Sequence, residues 1–123
     1  MHRTFLRSKI HRATITSADR DYEGSISIDR VLCKAAGLLE FEQVDVLDIT
    51  NGARFTTYVI YGKPGQIQIN GAAAHLAHPG DLVIIAAFAH LRADEISGHR
   101  TIIVKTDEKN QIVSRKESPV TSP

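Results

Sequence analysis

The stretch "VDVLDITNGARFTTYVIYGKPGQIQIN", residues 44–70, decides how the chain folds. Val44 to Thr50 places Val44, Val46 and Ile49 among polar neighbours, the pattern of a strand with one face buried. Asn51-Gly52 follows, and that dipeptide favours the tight turns that reverse a strand. Arg54 to Tyr61 is then a return strand rich in β-branched and aromatic residues. Gly62 to Gly65 is a second turn, and Gln66 to Asn70 alternates polar and apolar side chains again.

The same rhythm extends outward. Thr4 to Thr16 reads as a strand carrying Ile10, Thr14, Ile15 and Thr16, and Ala18 to Gly24 as a polar loop. Ser25 to Ile28 alternates Ser-Ile-Ser-Ile, the period of a half-buried strand. Asp29 is placed to cap a short helix over 30–36, with Gly37 as its stop. Residues 71–76 suit one helical turn, 79–81 a turn, 82–88 ("LVIIAAF") a fully buried strand, and 93–98 a short helical piece. Residues 101–105 and 111–113 are expected to pair around "TDEKN". Six to eight short strands with turns about every ten residues point to a mainly β chain with short helices. A closed barrel suits them better than a sandwich or an α/β sheet. The expected organisation is one domain over 1–115 and a flexible tail over 116–123.

Composition removes several classes of function. Fifteen basic and fourteen acidic residues leave a formal charge of +1, without the basic excess of a nucleic-acid binder. Three tyrosines, four phenylalanines and no tryptophan offer no stacking platform for single strands. The one cysteine, Cys33, cannot form an internal disulfide, which suits a reducing cytoplasmic setting, and it reads as packing rather than nucleophile. The opening MHRTFLRSKIHR lacks the apolar centre of a signal peptide, and the apolar run 82–89 is too short to span a bilayer. Neither of the common glycine-rich phosphate loops is present. His75 and His78 are three residues apart, but no ligand set surrounds them and Pro79 ends the turn, so no metal is expected.

Three stretches leave chemistry open. Gly24-Ser25 is either an ordinary entry to a strand or a reactive junction. In "RFTTYVIY", Arg54 either opens a strand as a plain surface cation or offers a planar fork to a carboxylate, with Thr57 and Tyr58 adding a hydroxyl and a phenol. Residues 54, 56 and 58 share one strand face and 57 lies on the other, so one site using all of them needs a twist, a bulge or a neighbouring subunit. "INGAAAH" is either turn chemistry or a small-sided segment whose backbone amides serve an anion.

Four motifs in order, "SKIHRATIT" (8–16), "YEGS" (22–25), "NGARFTTYVI" (51–60) and "NGAAAHLAHPGDLVIIA" (70–86), resemble the pyruvoyl-dependent aspartate 1-decarboxylases. The resemblance covers roughly residues 1–105. It implies a small double-psi β-barrel that assembles as a homotetramer and is made as an inactive proenzyme. The chain would cut itself into 1–24 and 25–123, Ser25 becoming a pyruvoyl group. The reaction implied is L-aspartate to β-alanine and carbon dioxide, a step toward pantothenate and coenzyme A.

In that scheme Ser25 attacks the carbonyl of Gly24 and turns an amide into an ester. Gly24, without a side chain, would permit an unusual dihedral. The ester eliminates to dehydroalanine, which hydrolyses to pyruvoyl and ammonia. Thr57 and Asn70 match the donors to the oxyanion on Gly24. The ketone then forms a Schiff base with the substrate amine and serves as electron sink, so neither metal nor pyridoxal phosphate is implied. Lys9 and Arg54 are the matching cations for two carboxylates, and Tyr58 the matching proton donor. Thr57, Gly71, Ala72 and Ala73 match substrate-binding positions, and His11 and Tyr22 are expected to line the site. Asp21 and Leu47 stand where related chains can carry a histidine and an aromatic residue, which bears on the pocket rim or the cutting rate. A helper protein for maturation is a further candidate partner. Two rivals are an unprocessed barrel binding a small anionic ligand and a pyruvoyl enzyme for another amino acid. The first leaves the conjunction of Gly24-Ser25, Thr57, Tyr58 and Asn70 unexplained, and two cations favour a dicarboxylic substrate over the second.

Overall fold

A computed structural model describes residues 1–123. Nine strands make one sheet: β1 (His2–Thr14), β2 (Ser17–Asp19), β3 (Ser25–Asp29), β4 (Gln43–Asp48), β5 (Arg54–Gly62), β6 (Ile67–Asn70), β7 (Leu82–Arg92), β8 (Arg100–Thr106) and β9 (Ile112–Pro119). Their order across the sheet is β2-β6-β3-β5-β4-β7-β1-β8-β9. Three pairs are parallel, β1 with β8, β2 with β6 and β3 with β5, and the rest antiparallel.

The sheet is curled into a small barrel, and the core shows why. One continuous apolar cluster takes Ile67 and Ile69 from β6, second in the order, and Val104 from β8, eighth. On a flat sheet those strands would stand roughly 29 Å apart, at about 4.8 Å per strand, far beyond side-chain reach. Just past β1, Thr16 N–H bonds to the carbonyl of Ile67 (2.8 Å), tying the seventh strand to the second. A bulge at Arg12, φ 68°, re-phases β1 so that Ile10 and Ala13 both point inward.

The hairpin expected at Asn51-Gly52 joins β4 to β5, with Leu47 opposite Arg54. The one α-helix, α1 (Arg30–Ala36), has the expected ends. Asp29 Oδ1 accepts from Val31 N–H (2.8 Å), and Gly37 closes it at φ 70°. Single 3-10 turns occupy Gly71–His75 and Ala93–Gly98.

Several expectations need correction. There are nine strands rather than six to eight, because Ser17–Asp19, inside and just before the expected loop, pairs with β6. β3 is buried throughout rather than half-buried, since β5, β6 and the chain around Gly71 enclose its polar side. β7 continues to Arg92, and only its first half is buried; the rest pairs with the exposed start of β1. β9 runs to Pro119, past the expected start of the tail at 116, held by its ladder to β8 (Thr101 opposite Ser118). Its side chains are almost all exposed, so no apolar alternation announces it.

Candidate functional site

β3 and β6 run antiparallel with Ser25 opposite Asn70 and Ser27 opposite Gln68. Ile26, Ile28, Ile67 and Ile69 take the inward positions, so the polar side chains between them share the outer face. Ser25 is nonetheless only 1% exposed. Its Oγ accepts from Asn70 Nδ2 (2.9 Å) and donates to the carbonyl of Glu23 (3.0 Å). Asn70 Nδ2 also donates to Ser27 Oγ (3.1 Å), and Asn70 Oδ1 accepts from Gln68 Nε2 (2.7 Å). The Asn70 amide nitrogen is therefore engaged with serine hydroxyls.

Gly24, one peptide bond away, is exposed and lies outside the left-handed region. The unusual dihedral expected there belongs to Gly71, at φ 77°. A Cβ on Gly71 would come within 2.7 Å of Gly24 Cα, 2.9 Å of Gly24 N and 3.2 Å of the Tyr22 carbonyl. A Cβ on Gly24 would meet nothing within 4 Å. The close approach is thus made by Gly71, whose missing side chain lets the backbone after β6 lie on the junction. Ala72 and Ala73 follow in the same 3-10 turn, and Tyr22 itself is half exposed.

β5 lies on the other side of β3, parallel, with Ile26 beside Val59. The ladder begins at that pair, so Tyr58 and Thr57 lie on β5 just ahead of it, as Ser25 and Gly24 lie just ahead of Ile26. Tyr58 packs on Phe41, ring centroids 6.4 Å apart. The β4–β5 ladder continues without a shift from Leu47/Arg54 to Gln43/Tyr58, so β5 carries no bulge there. Arg54 and Tyr58 stay on one face and Thr57 on the other, opposite buried Val44. Arg54 is exposed and lines a shallow cleft of about 310 Å³ with Asp45, Leu47, Phe55 and Thr56.

Lys9 and His11 sit on β1, separated from β3 by β5, β4 and β7 in the sheet order. Burial, then the charges of Lys9, Arg12 and Lys105, push the His11 imidazole below its ordinary value. His11 Nδ1 is buried without a hydrogen-bond partner. The structure thus brings Ser25, Gly24, Asn70, Gly71 and Tyr22 together, sets β5 beside them, and leaves Lys9 and His11 on a strand apart. Asp21 closes a small turn on Asp19 Oδ1 (3.1 Å). His78 faces Asp81, Nδ1 to Oδ2 3.7 Å. Burial, helped by the Asp29 carboxylate, pushes the Cys33 thiol up to about 12, which suits packing. Ser27 and Gln68 join the junction although nothing singled them out in the sequence; the signal was the shared alternation of 25 and 27 with 66, 68 and 70.

The fold and this seam define a class: a small β-barrel that holds a buried serine hydroxyl beside an exposed glycyl peptide. Comparison with known proteins then gives the family. The sequence profile described as aspartate decarboxylase matches residues 1–113. The chain is 52% identical to the aspartate 1-decarboxylase of Hydrogenobaculum sp. over 116 residues, covering 94% of this chain and 93% of that one. It is 54% identical to that of Mycolicibacterium smegmatis over 121 residues (97% and 89%) and 57% identical to that of Corynebacterium efficiens over 116 (93% and 85%). The chain belongs to the aspartate decarboxylase family.

Proposed function

We propose that this chain converts L-aspartate to β-alanine and carbon dioxide, for pantothenate and coenzyme A synthesis, after cutting itself between Gly24 and Ser25. The observation that carries this reading is the seam itself: Ser25 Oγ is buried beside the exposed Gly24 and takes a hydrogen bond from Asn70 Nδ2 at 2.9 Å. A donor on a serine oxygen eases loss of its proton, which attack on the adjoining carbonyl requires. The fragments are 1–24 and 25–123. Ester formation moves the acyl group from nitrogen to oxygen. Elimination releases the Gly24 carboxylate, and addition of water with loss of ammonia leaves a ketone at residue 25.

The seam fits a small group at residue 25. Gly71 crowds the junction by backbone alone, and three hydrogen bonds, one to the Glu23 carbonyl and two from Asn70 Nδ2, already engage Ser25 and Ser27. The pyruvoyl carbonyl supplies an electrophile for the substrate amine and a sink for the electron pair that departing carbon dioxide leaves. Arg54 and Lys9 hold the two carboxylates, Arg54 with the permanent charge. Tyr58, one residue before the first pair of the β3–β5 ladder, hands a proton to the carbon that loses carbon dioxide. Thr57 donates to the oxyanion on Gly24 during cutting and, with the backbone of Gly71, Ala72 and Ala73, holds substrate. His11 and Tyr22 line the pocket.

The working unit is a homotetramer in the cytoplasm. Two observations support sites shared between copies: β5 presents Arg54 and Thr57 on opposite faces without a bulge, and Lys9 lies seven residues, roughly 23 Å of strand, before Thr16, where the chain reaches β6. Maturation either runs unaided or needs a helper protein, and incubation with and without host lysate separates the two.

Intact denatured mass after warm incubation tests the reading. Two fragments are expected, the larger starting at residue 25 and lighter by one ammonia than a free serine terminus. An uncut chain, inert toward aspartate with and without lysate, would instead make it a binding module for a small anion.

A further inference from the structure

We infer that Gln68 is a positioning residue for the Gly24-Ser25 junction: it sets which end of the Asn70 amide faces Ser25. The inference rests on the proposed self-cutting and adds to it a chain of polarity running along β6. Gln68 and Asn70 stand on one face of β6, and Gln66, the residue just before the strand, continues the same two-residue spacing. The chain starts at a group that cannot be reversed. The backbone N–H of Lys63 donates to Gln66 Oε1 (2.9 Å). Gln66 must then turn its Nε2 outward along the strand, where it donates to Gln68 Oε1 (3.3 Å). Ser17 Oγ donates to the same oxygen (2.8 Å), from the parallel partner strand β2. Gln68 Nε2 is left for Asn70 Oδ1 (2.7 Å), and Asn70 Nδ2 for the two serines.

An amide is nearly symmetric in shape, so nothing steric stops Asn70 from turning over. Reversal would set Asn70 Nδ2 against Gln68 Nε2, donor against donor. It would also offer an acceptor to Ser25 Oγ, which would then draw the hydroxyl proton from the Glu23 carbonyl and leave the oxygen without a donor. Whether Ser25 meets a donor is therefore decided at Lys63, seven residues before Asn70, and passed on through Gln66 and Gln68.

Gln68→Glu tests this. A carboxylate cannot donate, so Asn70 should turn its Nδ2 to the introduced carboxylate and its Oδ1 to the serines. Cutting should slow on the order of tenfold against wild type at about pH 8, the scale of a lost supporting hydrogen bond. As pH falls toward about 5 the carboxyl, near 4.3 when free, gains protons in about one molecule in six and can donate to Asn70 Oδ1 there, so the ratio of variant to wild-type rate should recover in part. Gln68→Met, which carries no polarity and no proton, should slow cutting by a factor that does not change with pH. A Gln68→Glu variant that cuts at the wild-type rate, or is slowed equally at both pH values, overturns the inference. A second readout does not depend on cutting. In Ser25→Ala protein, NMR contacts from the Asn70 amide protons to Ser27 should shift to residue 68 in the added Gln68→Glu change, and unchanged contacts overturn the inference. If wild type never cuts, the self-cutting reading fails, while the amide contacts still decide the polarity chain.

Discussion

Two regions of the barrel hold buried polar side chains and treat them in opposite ways. Along the β3–β6 seam, Ser25, Ser27 and Asn70 are all buried, and each has partners within the chain. Along β1, Ser8 Oγ, His11 Nδ1 and Thr14 Oγ1 are buried with none. Leaving such a group unpaired costs about 1–3 kcal/mol, so a chain retains it where another requirement outweighs stability. The hydrogen bonds of the seam are made within one copy of the chain, as the proposed cutting within one chain demands. β1 and its parallel neighbour β8 set Lys9, Arg12 and Lys105 around one imidazole, an arrangement that a carboxylate would relieve. On the proposed function, the contrast separates a part that makes the reactive group from a part that receives substrate.

The sharpest way to break the contrast is at Ser25. Ser25→Ala removes the nucleophile without removing the barrel, and should leave one full-length mass and no aspartate decarboxylation at all. Next in size is Gly71→Ala. Its Cβ would lie 2.7 Å from Gly24 Cα, on backbone that cannot rotate away, and φ 77° is itself unfavourable for alanine. Cutting should drop more than about tenfold and chemical denaturation should show a loss of about 1–3 kcal/mol. Gly24→Ala, with open space around it, should lose less stability than Gly71→Ala, and the reverse order would mean the seam's geometry is misjudged.

On the receiving side, Arg54→Ala should cut normally yet lose roughly ten- to hundredfold in kcat/KM for aspartate, the worth of about 1.5–3 kcal/mol for a charged hydrogen bond. A defect in cutting of equal size would erase the division of labour. The smallest effect concerns His11. Its folded-state pKa lies below the unfolded value near 6.5, so the unfolded chain takes the proton first as pH falls. The contribution is fully present above that value and is lost as pH drops from it toward the folded pKa. Denaturation midpoints at about pH 8 and about pH 5.5 should therefore differ more in wild type than in His11→Gln.

What residues 44–70 and their neighbours determined by themselves is local. Alternation marked most strands, Asn51-Gly52 the hairpin, and Asp29 with Gly37 the ends of α1, because dihedral preference and side-chain period act within a few residues. Alternation also put 25 with 27, and 66 with 68 and 70, on like faces. Only the tertiary structure decided which strands pair. Ser25 and Asn70, 45 residues apart, meet because β3 and β6 are neighbours in one register, and a slip of one residue would turn every side chain over. The same is true of Gly71 against Gly24 and of β9, whose exposed side chains carry no period and whose place is held by backbone hydrogen bonds to β8. Motif resemblance had pointed to Ser25 and Asn70 together. The glutamine behind Asn70 lies within reach of the alternation, but the donor that reaches Ser25 Oγ follows from strand pairing, a long-range property that no short window of sequence contains.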